Sequence, residues 1–363
     1  MGGQKVAFRV DASSNTGSGH LMRCLTLAAA LKECGFYVLF VCRHIPLHLQ
    51  SMVEASYDLK MLEGTESSNL VRASSYSSWL GVSQEKDLMD SVKALSNQVW
   101  DWIVVDNYSI DYIWEFQIKK SGLAKNILVI DDLADRKHDC DVLLDQNFGR
   151  ECGDYVRLVP DCCTLLIGPL FSLVRDEFSA LRKTSLARRK KYKLTNILIT
   201  MGGIDSLNVS GQLIEALSSC VLPEDISITV VMGQSADWLS EVQSAVANSP
   251  LNIRIIINAE NMSQLMLEAD LCIGAAGSTS WERCTLGLPA ILFCIADNQK
   301  SVVDALSKSG AALTMGLTGK SIDSVALSAK IAEVSSRSCE MIEKSASVTD
   351  GEGARRVSLH LCG

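Results

Sequence analysis

The sequence predicts an α/β chain of two doubly wound parallel-sheet domains facing a cleft, and three observations carry that expectation. Short, continuously apolar β-rich runs recur along the 363 residues, each ending in small or acidic residues and usually followed by a helical pattern. Strands that are apolar without alternation are the mark of parallel sheets covered on both faces. The runs fall into two series, which suits a chain long enough for two domains at about 150 residues each. A basic, polar stretch, EFSALRKTSLARRKKYKLT at 177–195, separates the series.

In the first series the expected strands are 6–11, 37–43, 102–108, 126–132, 142–147 and 164–168. The second series holds 196–203, 227–233, 253–258, 271–277 and 290–296. The boundary is set near 185, giving domains 1–185 and 186–363. The separating charge run is read as a solvated helix and linker. A Ser-rich excursion at 60–98, containing SSNLVRASSYSSWLGVSQEKD, shows less strand signal and is read as loop and helix.

Formal net charge is −8, which argues against a nucleic-acid partner, because dominant phosphate contact needs a basic surface. A small anionic ligand at a local site remains compatible with it. The thirteen cysteines are odd in number, scattered, and without a CxxC pair, so they read as reduced core thiols. No apolar stretch approaches the ~20 residues of a membrane span, and the chain opens directly into a strand. The expectation is a cytoplasmic, monomeric protein.

Two motif candidates fail. GSGHLM at 17–22 begins like a dinucleotide fingerprint, yet Met22 stands at the third glycine position. The next strand ends at Arg43 instead of an acidic residue, which argues against a redox cofactor. TMGLTGKS at 314–321 imitates a phosphate loop with Thr314 where the first glycine belongs. His44, His48, His138 and His360 show no metal-binding spacing, so neither metal nor cofactor is expected.

Two constellations remain. In KVAFRVDASSNTGSGHLMRCLTLAAAL (5–31), a strand enters a loop with Gly17 and Gly19, then a helix opening with His20 and Arg23. Three residues apart, those two side chains share one helix face. A neutral imidazole at a strand's carboxyl end suits proton abstraction from water. The plainer alternative is a helix-start histidine bonded to a nearby carbonyl. Asp106 and Tyr108, at the end of WIVVDNY, are expected on the same rim. Asp131 and Asp132 are read as strand-end caps and turn formers.

In the second half, GAAGSTSWERCTLGLPAILFCIADNQ (274–299) passes from a strand through Gly277 into a helix near Ser278 or Thr279. Free amides at a helix start favour an anion such as a diphosphate. Glu282 could accept ribose hydroxyls, or it could only complete a capping box with Thr279. ITMGG (199–203) adds a second glycine turn, with Gly202 and Gly203.

The segments RVDASSNTGSGHLMRCLTLA, VVDNYSID, DDLADRKHDCDVLLDQN, GPLFSLVRDEF, ITMGGID, GAAGSTSWERCTLGLPAI, ADNQ and DGEGARRV occur in that order. Together they resemble the UDP-2,4-diacetamido-2,4,6-trideoxy-β-L-altropyranose hydrolases of pseudaminic acid biosynthesis. The resemblance runs from about residue 5 to residue 357. It implies a GT-B-like fold and metal-independent hydrolysis of a UDP-sugar, with anomeric C–O cleavage and attack of water from the opposite face. It further implies His20 as base, Tyr108 in the catalytic group, and Glu282 on the uridine ribose side. Gly17, Gly19, Arg23, Gly202, Gly203, Gly277, Ser278 and Thr279 are expected to contact substrate. Asn147, Arg175 and Asn298 are added from their strand-end or motif positions. This chain has Asn107 where a second histidine is expected before the tyrosine. A GT-B glycosyltransferase using a UDP-sugar donor is the principal alternative, and a non-catalytic nucleotide-sugar binding protein the other.

Overall fold

The computed structural model describes residues 3–13, 16–64, 76, 79–96, 98–234, 236–317 and 321–363. Part of the excursion expected at 60–98, and part of the 314–321 motif, lie outside these residues. Two compact units emerge, one of Met1–Leu173 with Gly353–Gly363, the other of Val174–Glu352.

The first unit holds a seven-stranded parallel sheet. Its strands are β1 (Lys5–Val10), β2 (Tyr37–Cys42), β3 (Asp58–Met61), β4 (Trp100–Asp106), β5 (Ala124–Ile130), β6 (Val142–Asp145) and β7 (Thr164–Ile167). They run in the order β3-β2-β1-β4-β5-β6-β7. Alternate side chains serve opposite faces: Val6, Phe8 and Val10 join one core cluster, Ala7, Ile103 and Val105 the other. Burial on both faces explains the unbroken apolar runs.

The second unit has six parallel strands, β8 (Asn196–Thr200), β9 (Ser227–Met232), β10 (Ile253–Ile257), β11 (Leu271–Ala275), β12 (Ala290–Cys294) and β13 (Leu313–Leu317). Their order is β10-β9-β8-β11-β12-β13. Each sheet reverses its winding once, between β1 and β4 and between β8 and β11. Ligands of such sheets gather outside the strand ends at those reversals.

Three differences from the sequence expectation have physical reasons. β3 and β13 are additional strands, and both are sheet edges. β3 reads DLKM with no buried residue, so it lacks the apolar run that marks a central strand. The division falls at 173/174 instead of 185/186, and the last helix returns to the first unit. There Trp102 Nε1 donates to the Leu361 carbonyl at 3.0 Å. A Cβ on Gly353 would lie 2.2 Å from the Ser172 carbonyl oxygen, so only glycine permits that approach.

The third difference concerns the charge run. Its helix, Asp176–Arg189, is more than a solvated linker. Arg189 is buried and donates to the carbonyls of Leu286, Ala269 and Met266. Arg182 donates to those of Thr285, Ala346 and Thr349. Helix and loop ends rich in unpaired carbonyls are a natural seat for guanidinium groups. All thirteen cysteines are free thiols, with Cys24 and Cys272 in the core and Cys34, Cys152, Cys162 and Cys339 exposed. No helix among the described residues is long and apolar enough to cross a membrane.

Candidate active site

At the β1/β4 reversal a buried charge network takes shape. β1 leads through Ser13 and Gly17, whose amide donates to the Ser13 carbonyl at 2.8 Å, into the helix Gly19–Glu33. Gly17 sits at φ +70°, a conformation a side chain would strain. This turn delivers His20 on the first helical turn, beside the end of β4. His20 Nδ1 lies 2.6 Å from Asp106 Oδ1. An ionised carboxylate only accepts, so Nδ1 carries the proton and Nε2 is left as the basic nitrogen. Among the described residues Nε2 has no hydrogen-bond partner. The ring keeps 11% exposure, while the Asp106 side chain has none.

Arg23, one turn on, gives Asp106 two further bonds, from Nε and Nη2, each 2.7 Å. Its Nη1 reaches Asp132 at 2.7 Å. Burial lowers the tendency of Arg23 to hold its proton, but Asp106 and Asp132 more than offset it. Burial likewise opposes the Asp106 charge, and Arg23 and His20 outweigh it, holding the carboxyl far below the usual range. Expected to touch substrate, Arg23 has its guanidinium nitrogens engaged by these two carboxylates and is 6% exposed. Its part in this geometry is to fix them.

Asp132 is the second hub. It accepts the Tyr108 hydroxyl at 2.5 Å and Asn147 Nδ2 at 3.1 Å. Arg150 donates to its backbone carbonyl at 2.8 Å. Burial, then the Asp132 charge, pushes the Tyr108 phenol well above its ordinary value, so it stays protonated. Asp131 behaves as the expected turn former, accepting from the Ala134 amide and from Arg136. Asp132 does not. Adjacent aspartates at a strand end carry no sequence signal that separates their roles, because the direction of each side chain is set by the pleat. Nearby Asp145, also buried, is pushed up to about 7 by desolvation and by Asp132.

Asn107 has a structural part: Nδ2 donates to Asp11 at 3.0 Å, and Oδ1 accepts the Ser109 amide. Asp11 in turn accepts the amides of Arg43 and His44, binding the ends of β1, β2 and β4 together. Tyr76 and Trp79, from the Ser-rich excursion, pack around Tyr108. The sequence offered no sign of this beyond the two aromatic residues themselves.

The second unit presents a different arrangement at β8/β11. Gly202, at φ +83°, and Gly203 follow β8, and Gly277 follows β11. A Cβ on any of the three would meet nothing within 4 Å, so open space lies over the backbone. Ser278 caps the helix Thr279–Thr285 without a side-chain bond, and of the two alternatives for Glu282 the capping box with Thr279 is not formed. Glu282 instead pairs with Arg175 at 3.0 Å, and its Oε2 is buried with no partner. Burial pushes the Glu282 carboxyl up, with Arg175 offsetting only part. Thr279 Oγ1 meets Arg283, whose Nη2 braces the Ala275 carbonyl at 2.8 Å. Asn298 is half-buried in the short turn of helix Asp297–Gln299.

Two doubly wound parallel sheets with polar clusters or glycine turns at their winding reversals define a GT-B-type chain. Residues 196–357 match the Glycosyltransferase family 28 C-terminal domain. The chain is similar in structure to MurG of Acinetobacter baumannii, with a TM-score of 0.68 over 99% of both chains at 18% identity. It is likewise similar to a UDP-glucosyltransferase from Polygonum tinctorium, at TM-score 0.68, 12% identity and 99% of both chains. In sequence it is 30% identical, over 84% of its length and 97% of the relative's, to the UDP-2,4-diacetamido-2,4,6-trideoxy-beta-L-altropyranose hydrolase of Campylobacter jejuni. The chain belongs to the family of that hydrolase.

Proposed function

We propose that this chain is a UDP-sugar hydrolase acting on UDP-2,4-diacetamido-2,4,6-trideoxy-β-L-altrose. The observation that carries the reading is the His20–Asp106 pair at 2.6 Å, which makes Nε2 a positioned base. Water gives a proton to Nε2 as its oxygen bonds to the anomeric carbon. The bond from that carbon to the phosphate oxygen breaks, its electrons leave with UDP, and the configuration inverts. The imidazolium that forms is stabilised by the Asp106 carboxylate, which stays ionised. Tyr108 packs edge-on against the imidazole at 4.7 Å, holding its orientation. Arg23 and Asn147 keep the two hub carboxylates in place and have no contact with the reacting atoms in this account.

UDP is assigned to the second unit. Its diphosphate suits the uncovered amides at Gly202–Gly203 and Gly277–Ser278, and its ribose hydroxyls suit the unpartnered Oε2 of Glu282. Backbone donors there would offset the charge developing on the leaving group. No group in this scheme requires a metal or a cofactor.

A glycosyltransferase reading keeps one supporting observation, the match of 196–357 to a glycosyltransferase domain. UDP release in water labelled with heavy oxygen, with EDTA present and no acceptor added, tests the two. Rapid release with label in the sugar is the expected result. Release only on addition of an acceptor would make His20 the base for an acceptor hydroxyl.

A further inference from the structure

Three aromatic rings gather beside the His20 imidazole, and two of them have no part in the scheme above. Trp79 stacks on Tyr108 with ring centres 5.5 Å apart and 24° between planes. It stands edge-on to His20 at 6.5 Å and 87°. Tyr76 meets Trp79 at 4.8 Å and Tyr108 at 5.1 Å, both near perpendicular. Tyr108 is almost wholly covered, whereas Trp79 and Tyr76 are half-buried. The accessible part of the cluster therefore belongs to Trp79 and Tyr76.

This surface is held in place. Ser109, next to Tyr108, donates its hydroxyl to the Tyr76 carbonyl at 2.5 Å, and the Trp79 amide donates to the same carbonyl at 2.9 Å. His44 Nε2 donates to the Leu80 carbonyl at 3.3 Å, and the Leu80 side chain is buried in the core. A fixed, partly bare aromatic face beside a base selects what the base can approach. Methyl groups gain contact against it. A hydroxyl turned onto a ring face, away from the indole N–H and the phenol O–H, loses water without gaining a partner.

We propose that Trp79 and Tyr76 are specificity-determining residues for the sugar, favouring 6-deoxy, N-acylated rings over rings with hydroxyl groups at those positions. The inference rests on the hydrolase reading, which brings the sugar to His20. One methyl-sized difference against an apolar wall is worth roughly 10- to 200-fold in kcat/KM, and a wall alone rejects an added hydroxyl by about 10². The wall thus accounts for discrimination of that order and no more.

The test compares kcat/KM for the diacetamido-trideoxy nucleotide with that for UDP-N-acetylglucosamine. It uses the full chain, Trp79→Ala, Tyr76→Leu and the conservative Trp79→Phe. Trp79→Ala and Tyr76→Leu are expected to lower the ratio about tenfold or more, through KM for the deoxy sugar, while Trp79→Phe keeps most of it. An unchanged ratio with kcat reduced equally on both substrates would overturn the proposal and leave the pair only supporting His20. Calorimetric titration with the same two nucleotides and with UDP separates this from the activity. If the wild type releases no UDP, the hydrolase reading fails, yet the wall is still judged by binding. Trp79→Ala should then lose about tenfold in affinity for the deoxy nucleotide and nothing for UDP. Equal affinities in the two proteins overturn it.

Discussion

The two winding reversals of this molecule are built from opposite materials. At β1/β4 the space is filled with charge: Asp106 and Asp132 are knit by Arg23, His20, Tyr108 and Asn147. At β8/β11 it is left open, with bare backbone at Gly202, Gly203 and Gly277 and one unpartnered carboxylate oxygen on Glu282. A group that must move a proton needs fixed orientation and a tuned partner, which a buried network supplies. A group that must hold a diphosphate needs donors and room, which glycine turns supply. On the proposed function, the contrast makes chemistry and grip separable by mutation.

The sharpest break of that contrast lies at His20. His20→Ala and Asp106→Asn are each expected to cut turnover by about 10²- to 10⁴-fold, the second through the wrong tautomer. UDP affinity, measured by titration, should stay near wild type in His20→Ala. A parallel loss of UDP binding would dissolve the division of labour.

Next in size is Asp132→Ala, which strands the Arg23 guanidinium with a single carboxylate and frees Tyr108. Removing one member of a buried ionic network costs about 3–5 kcal/mol, to be read from denaturant unfolding. Glu282→Gln addresses grip alone. It is expected to raise KM about tenfold with kcat little changed, as for a lost charged hydrogen bond of ~1.5 kcal/mol.

Asp145 gives a pH signature confined to the first unit. Its folded value of about 7 lies above the ordinary 3.8, so the folded state holds its proton more tightly. Stability from this group is full at low pH and is lost as pH rises from about 4 to about 7. In Asp145→Asn, unfolding midpoints at pH 5 and pH 8 should converge relative to wild type. The smallest effect is Gly277→Ala. Its added methyl meets open space, so stability should change by under about 1 kcal/mol while UDP affinity falls.

How much of this was legible in the chain follows from what each residue answers to. Central strands such as VAFRV and WIVVD are buried on both faces and declare themselves. The edges β3 and β13 do not, because a half-solvated strand need not be apolar. Arg182 and Arg189 read as solvated charge because their partners are backbone carbonyls far along the chain, which have no sequence signature. His20, Tyr108 and Glu282 stand out by motif, whereas Asp132 has the pattern of a turn former and Trp79 carries no motif signal.

The sequence by itself determined the parallel α/β architecture, the presence of two series of strands, and the glycine turns beside which His20 and Thr279 stand. These depend on local period and on glycine, both written in consecutive residues. Only the tertiary structure decided which carboxylate orients His20, which hub holds Tyr108, and which aromatic faces lean on the imidazole. The two hydrogen bonds among them join residues 24 and 86 positions apart, and their direction follows from strand register and packing. Distance in the chain hides them, because burial and charge act through space.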